Sequence, residues 1–225
     1  MRVLKDGHVV LSESFHNGLT IIKGHNSSGK TTTFDFLAFG LGSEEIPWKK
    51  QALLCDFVVT EVSLNGRRVT LKRQISEDRQ RPMYIFWGEL SEAEASAFQG
   101  WELYPYKRSE HKLGFTQSLF LALGMPEAQG DGASNLTMHQ FLRVIYADQP
   151  SLHQPIFRND NWDSALTRET VGNYISGAYD DNLYSAQLEK RELEKELSGA
   201  DSELRSIFTV LAKSKQDIGI EFFGQ

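Results

Sequence analysis

Apolar positions change period several times along this chain, and each change marks an element. Val9-Val10-Leu11 and Leu19-Thr20-Ile21-Ile22-Lys23 are β-type runs on either side of Asn17-Gly18, a pair that favours a tight turn. The second run leads directly into Gly24. Beyond a Gly/Ser-rich segment, Phe34, Leu37, Ala38 and Leu41 recur at helical spacing, and Gly40 and Gly42 supply a stop. From Phe57 to Ile75 the period falls to two on either side of Asn65-Gly66, the strongest short-range hairpin signal, so a β-meander is predicted after the first helix. Met83-Tyr84-Ile85-Phe86-Trp87 predicts another strand. Helical pieces are expected near 92–98 and 116–123, and Thr137 is placed to cap a helix through Leu142 that leads into the apolar run Val144-Ile145-Tyr146.

The tail follows a different rule. Leu183, Ala186, Lys190, Leu193, Leu197, Ala200, Leu204, Ile207 and Leu211 are spaced alternately three and four apart, and all but Lys190 are apolar. That is the a/d seam of a coiled coil, with Glu189, Glu192, Glu194, Lys195 and Glu196 on its outer positions. The stripe is narrow and its flanks are charged, which suits a single partner helix better than a broad globular surface. The expected organisation is a globular part over 1–180, the start of a coiled coil over 181–215 and a tail over 216–225.

With 225 residues, 40% hydrophobic and 11% aromatic, the chain suffices for one substantial core or a core plus an appendage. Its net charge of -6 does not advertise nucleic-acid binding, although Arg67, Arg68, Lys72 and Arg73 on the hairpin and Lys49-Lys50 leave a local basic face open. A single cysteine, Cys55, fits a reducing compartment and a buried thiol. The six histidines show no paired ligand spacing, so no zinc site is proposed. Met1-Arg2-Val3-Leu4-Lys5-Asp6 does not lead into a signal-type apolar segment, and no run of 18 apolar residues occurs. The expectation is a cytoplasmic protein without a membrane span, in which the sequon at Asn135 has no bearing.

The chemistry lies in Gly24-His25-Asn26-Ser27-Ser28-Gly29-Lys30-Thr31, which satisfies G-x-x-x-x-G-K-[ST] at every fixed position. Glycines let the backbone curl so that successive N–H groups face phosphate oxygens, and the following helix turns its positive end to the same anion. Lys30 would reach the β- and γ-phosphates, and the Thr31 hydroxyl would ligate a Mg²⁺ ion bridging them. The expected ligands are therefore ATP and Mg²⁺, bound by 24–32, with Thr32 continuing the set. His25 occupies a variable position and is expected to be exposed.

Residues 18–32, Gly-Leu-Thr-Ile-Ile-Lys-Gly-His-Asn-Ser-Ser-Gly-Lys-Thr-Thr, resemble the N-terminal motif of SMC and SbcC-type ATPases, whose loop reads G-x-N-G-x-G-K-S/T. Asn26 matches and Ser27 departs from the usual glycine. Phe141-Leu142-Arg143-Val144-Ile145-Tyr146-Ala147-Asp148-Gln149 resembles the strand entering the Q-loop of that family, and Gln149 stands where the family glutamine completes the Mg²⁺ shell and contacts the attacking water. The order of P-loop, meander, Q-loop and outgoing heptads matches as well. The resemblance implies an α/β P-loop NTPase fold, the N-terminal lobe of an ABC-type head, with a β-meander and a C-terminal coiled-coil helix. It further implies that Lys30 and Gln149 serve catalysis, that Thr31 and Gln149 hold the metal, and that hydrolysis needs a C-terminal lobe and a head dimer. DNA is its implied distal partner, in repair, chromosome maintenance or phage defence. The family's signature motif, catalytic glutamate and switch histidine would lie beyond a returning coil; Ile175-Ser176-Gly177-Ala178 precedes the coil and reads as a helix-breaking turn. Two other readings stand beside this one: a self-contained P-loop kinase or GTPase with Asp148 on the metal, and a coiled-coil scaffold with a vestigial site.

Overall fold

The computed structural model describes residues 1–44, 46–78, 81–107, 112–125, 136–147 and 165–222. Two compact units divide at Gly177 and Ala178. The first contains a six-stranded sheet of order β2-β1-β3-β4-β5-β6, in which every neighbouring pair is antiparallel.

Local chemistry explains most of the meander. β1 (Arg2–Lys5) and β2 (His8–Ser12) are joined through Asp6 and Gly7, both at positive φ (50° and 76°). β3 (Phe57–Leu64) and β4 (Arg67–Gln74) are joined in the same way by Asn65 and Gly66 (47° and 80°), in full register from Leu64 opposite Arg67 to Phe57 opposite Gln74. Turns of this kind match the right-handed twist of the strands they connect. β5 (Met83–Phe86) and β6 (Trp101–Tyr104) complete the sheet, with the short helix α2 (Leu90–Ala95) between them, closed by a capping box of Glu89 and Glu92.

α1 (Lys30–Gly40) packs on β3. Gly40 lies inside this helix instead of ending it, and its lack of a Cβ suits the close approach to β3, since a Cβ there would stand 2.5 Å from Thr60 Oγ1 and 3.0 Å from Val58 Cγ1. The stop falls at Gly42 (φ 111°), where Gly42 N–H donates to Phe39 O and Ser43 N–H to Ala38 O, the paired bonds of a Schellman cap. Phe36 and Phe39 then meet Met1, Val3, Val58 and Ile75 in one core cluster. A second cluster joins Val69, Leu71, Met83 and Ile85 of the sheet to Phe115 and Leu119 of α3 (Phe115–Ala122). α4 (Met138–Ile145) starts from a Thr137–Gln140 capping box, and α5 (Ala165–Ser176) ends at Gly177 (φ 71°), the expected helix-breaking turn. Phe120, Phe141 and Tyr174 join α3, α4 and α5 with ring centroids 5.0–6.1 Å apart.

Two expected elements take another form. Residues 19–23 form no strand: Leu19 is 86% and Ile21 70% exposed, and no described residue pairs with this backbone. A β-run whose N–H and C=O groups find no neighbour has nothing to hold it as a ladder. Val144 and Ile145, expected in a strand, complete α4 instead. His139, Phe141 and Leu142 bury one side of that helix, and this amphipathic packing overrides the β preference of the short apolar run.

The second unit contains α6 (Asp181–Phe222), a single 42-residue helix of roughly 60 Å at 1.5 Å per residue. Leu193, Leu197, Leu204 and Ile207 along its seam are 51–68% exposed. Among the described residues no helix is long and apolar enough to cross a membrane.

Candidate functional site

The Gly24–Thr31 motif forms a curled loop that closes on itself. Ser28 N–H donates to His25 O at 3.3 Å, and a Cβ on Gly24 would lie 2.4 Å from Ser28 Oγ, so any larger residue there would have to turn that hydroxyl aside. Ser27 has φ 64° and Gly29 φ 88°. The first is the position at which the resembling family carries glycine, so this chain holds a β-carbon in backbone space that strongly favours its absence. Lys30 opens α1 and folds back over the loop, donating from Nζ to Gly24 O at 2.9 Å and His25 O at 2.7 Å. The first intrahelical bond is Thr33 N–H to Gly29 O at 2.9 Å. The amides of Lys30, Thr31 and Thr32 precede it, which leaves the helix start with the donors and partial positive charge that an anion requires.

The two sides of α1 lead to different surroundings. One turn below Thr31, Asp35 is buried, and Tyr146 at the end of α4 reaches its Oδ1 with the hydroxyl at 3.4 Å. Residues 148 and 149 follow directly; Asp148 and Gln149, the alternative metal residues, both lie outside the described residues. On the other side Thr32, Thr33 and Phe36 border a cleft of about 550 Å³, together with 27–29 of the loop, Leu11, Lys49, Gln51 and Ala52. Trp48 fixes that neighbouring segment by packing on Phe36 and Phe39, with ring centroids 5.6 and 4.9 Å away. A short 3-10 turn over Ala52–Leu54 follows.

The expected basic patch on the hairpin does not exist as a unit. β4 alternates, so Arg73 shares a face with Val69 and Leu71 and is fully buried. Its Nη1 donates to Phe39 O at 2.9 Å and Ser43 O at 2.7 Å, and its guanidinium lies 3.9 Å from the centre of the Phe39 ring. Burial brings its pKa down to about 10. Lys72, on the opposite face, lies over the rings of Phe57 and Phe98 at 4.5 and 5.0 Å, and burial lowers its pKa. Arg68 pairs with Glu61. Arg73 is thus a structural cation at the end of the P-loop helix. Beside it, the Tyr106 hydroxyl donates to Gly42 O at 2.7 Å, with burial raising its pKa well above the usual phenol range.

A family model described as an AAA domain matches residues 4–120, just over half of the 225-residue chain. The chain belongs to this family. No curated protein and no solved structure matches. The AAA domain runs from β1 through the P-loop and meander to α3, so the loop and the core that holds it lie inside one matched segment. Membership supports nucleotide binding and, with it, use of ATP and Mg²⁺. The observed loop geometry fits a triphosphate: a backbone cradle, a lysine bridging it and unspent amides at the helix start. Thr31 follows Lys30 in the first turn of α1.

The Asp35–Tyr146 contact, the role of Arg73 and the cleft beside Gln51 were not anticipated from sequence. Only Arg73 carried a readable signal, its shared parity with Val69 and Leu71.

Proposed function

We propose that this AAA domain protein is the ATP- and Mg²⁺-binding N-terminal lobe of an SMC-like ATPase head acting in DNA repair, chromosome maintenance or phage defence, with hydrolysis requiring a C-terminal lobe and head dimerisation. The observation that carries the nucleotide part is Lys30 spanning Gly24 O and His25 O at the start of α1, an ammonium held where β- and γ-phosphate charge would fall. Mg²⁺, held by Thr31 and Gln149, would neutralise charge on the phosphates. The Tyr146–Asp35 contact supports the role of Gln149, since it ties the chain three residues before that glutamine to the Thr31 side of α1.

Two further features support incompleteness of the lobe. The backbone of 19–23 has strand-like sequence, exposed Leu19 and Ile21 and no partner strand among the described residues, as a central strand would if its neighbours came from a second lobe. The exposed seam of α6 suits an antiparallel helix returning from that lobe. DNA, the partner implied by the resemblance, would be held through phosphate contacts without base reading, and the assembly would act in the cytoplasm.

Turnover by the purified chain tests the proposal. It should bind ATP yet hydrolyse it negligibly, because the base for the water and the second half of the charge stabilisation belong to the absent lobe. Turnover at about 1 per second or faster with Lys30 required would replace this reading with a self-contained enzyme. Mg²⁺-dependence of ATP affinity should weaken in Gln149→Ala; weakening confined to Asp148→Ala would favour the same rival.

A further inference from the structure

Two sides of one helix start divide the work of a nucleotide site. Successive residues on α1 are about 100° apart around its axis, so Thr31 faces toward Asp35 and Tyr146, whereas Thr32 and Thr33 face the cleft that holds Lys49 and Gln51. A triphosphate whose γ end and metal lie on the Thr31 side must send its α-phosphate and nucleoside toward the Thr32 side. The cleft there has the size of a small-molecule site, about 550 Å³. Among the described residues its lining includes apolar Leu11, Phe36 and Ala52, one ammonium and one amide, and no carboxylate.

We propose that this cleft is the nucleoside pocket, with Gln51 reading the adenine edge as a paired donor and acceptor and Lys49 holding the α-phosphate side of the ribose; this rests on the P-loop reading above. An amide is suited to the task because adenine presents a donor and an acceptor side by side, whereas guanine presents two acceptors along the corresponding edge. Lys49 adds positive charge where the phosphate chain ends. Both residues are exposed in the described structure, so neither supports the core and their variants should fold. Trp48, packed on Phe36 and Phe39, and the buried Ala52 give the segment that carries them a fixed place against α1.

Binding of ATP, GTP and inorganic tripolyphosphate to the full chain, Gln51→Leu, Lys49→Ala and Lys30→Ala separates the possibilities. Gln51→Leu should weaken ATP about tenfold, leave tripolyphosphate unchanged and remove the preference for ATP over GTP. Lys49→Ala should weaken ATP and GTP alike, by about tenfold. An unchanged ATP-to-GTP ratio in Gln51→Leu, or equal loss of ATP and tripolyphosphate, overturns the assignment while leaving the P-loop intact. Failure of the P-loop reading itself has a different signature: tripolyphosphate and ATP affinities that ignore Lys30→Ala. That result overturns both.

Discussion

Replacing Arg73 with methionine keeps most of the side-chain volume and removes one buried charge, which isolates what the guanidinium does for the P-loop helix. Two hydrogen bonds from a cation to Phe39 O and Ser43 O are lost, each contributing about 1.5–3 kcal/mol, along with a contact on the Phe39 ring worth up to about 2 kcal/mol when desolvated. Against this stands the cost of burial: a pKa held at about 10 rather than 12.5 corresponds to a penalty of about 3 kcal/mol on the charged form. Phe39 O keeps the Gly42 N–H, so the truncation falls most heavily on Ser43 O. The balance gives a loss of about 3 kcal/mol, or a fall of about 6–12 °C in Tm for a unit of this size. Urea unfolding followed by tryptophan fluorescence measures it in the right unit, because all four tryptophans precede residue 177 and Trp48 packs on Phe39. Arg73→Lys should recover only part of the loss, since one ammonium cannot serve both carbonyls and the ring in the planar arrangement. A loss below about 1 kcal/mol in Arg73→Met would refute the clamp, and would mean that desolvation cancels everything the guanidinium contributes.

Gly40→Ala should cost about 1–3 kcal/mol by forcing a methyl against Thr60 and Val58, although alanine is otherwise the better helix former, and thermal unfolding checks it. Ser27→Gly should raise stability by about 1 kcal/mol at φ 64° without weakening ATP binding, whereas Ser27→Val should weaken both; calorimetric titration reads the difference. Glu61 accepts the Leu90 N–H at 2.8 Å and pairs with Arg68, and the first of these contacts contributes most to a pKa below the ordinary 4.5. Its stabilisation is therefore present above pH 4.5 and lost as pH falls through the lowered folded-state value. Glu61→Gln should accordingly lose about 1 kcal/mol at pH 7 and progressively less on acidification, in a stability profile measured from pH 7 to 3.

The P-loop was legible because its motif is local in sequence and Gly29 meets a demand of the backbone itself, a positive φ. Asn65-Gly66 was legible for the same local reason. β1 and β6 were not, since each is a four-residue strand whose apolar content is too short to show a period and whose existence depends on distant partners. The 19–23 run shows the converse, a β pattern without a neighbour. Arg73 was readable in principle, because an arginine two and four residues from Leu71 and Val69 on a strand must face the core they occupy. The cleft beside Gln51 could not be read, as it exists only once Trp48 lies on Phe36 and Phe39.

The central claim is that the Gly24–Thr31 loop binds the triphosphate of Mg·ATP through Lys30. Isothermal titration of Mg·ATP into the full chain and into Lys30→Ala tests it directly. Saturable one-to-one binding by the unaltered chain, weakened at least about a hundredfold in the variant because a charge-assisted contact to the phosphates is gone, is the predicted result; equal affinity in the two proteins, or no binding by the unaltered chain, would contradict it.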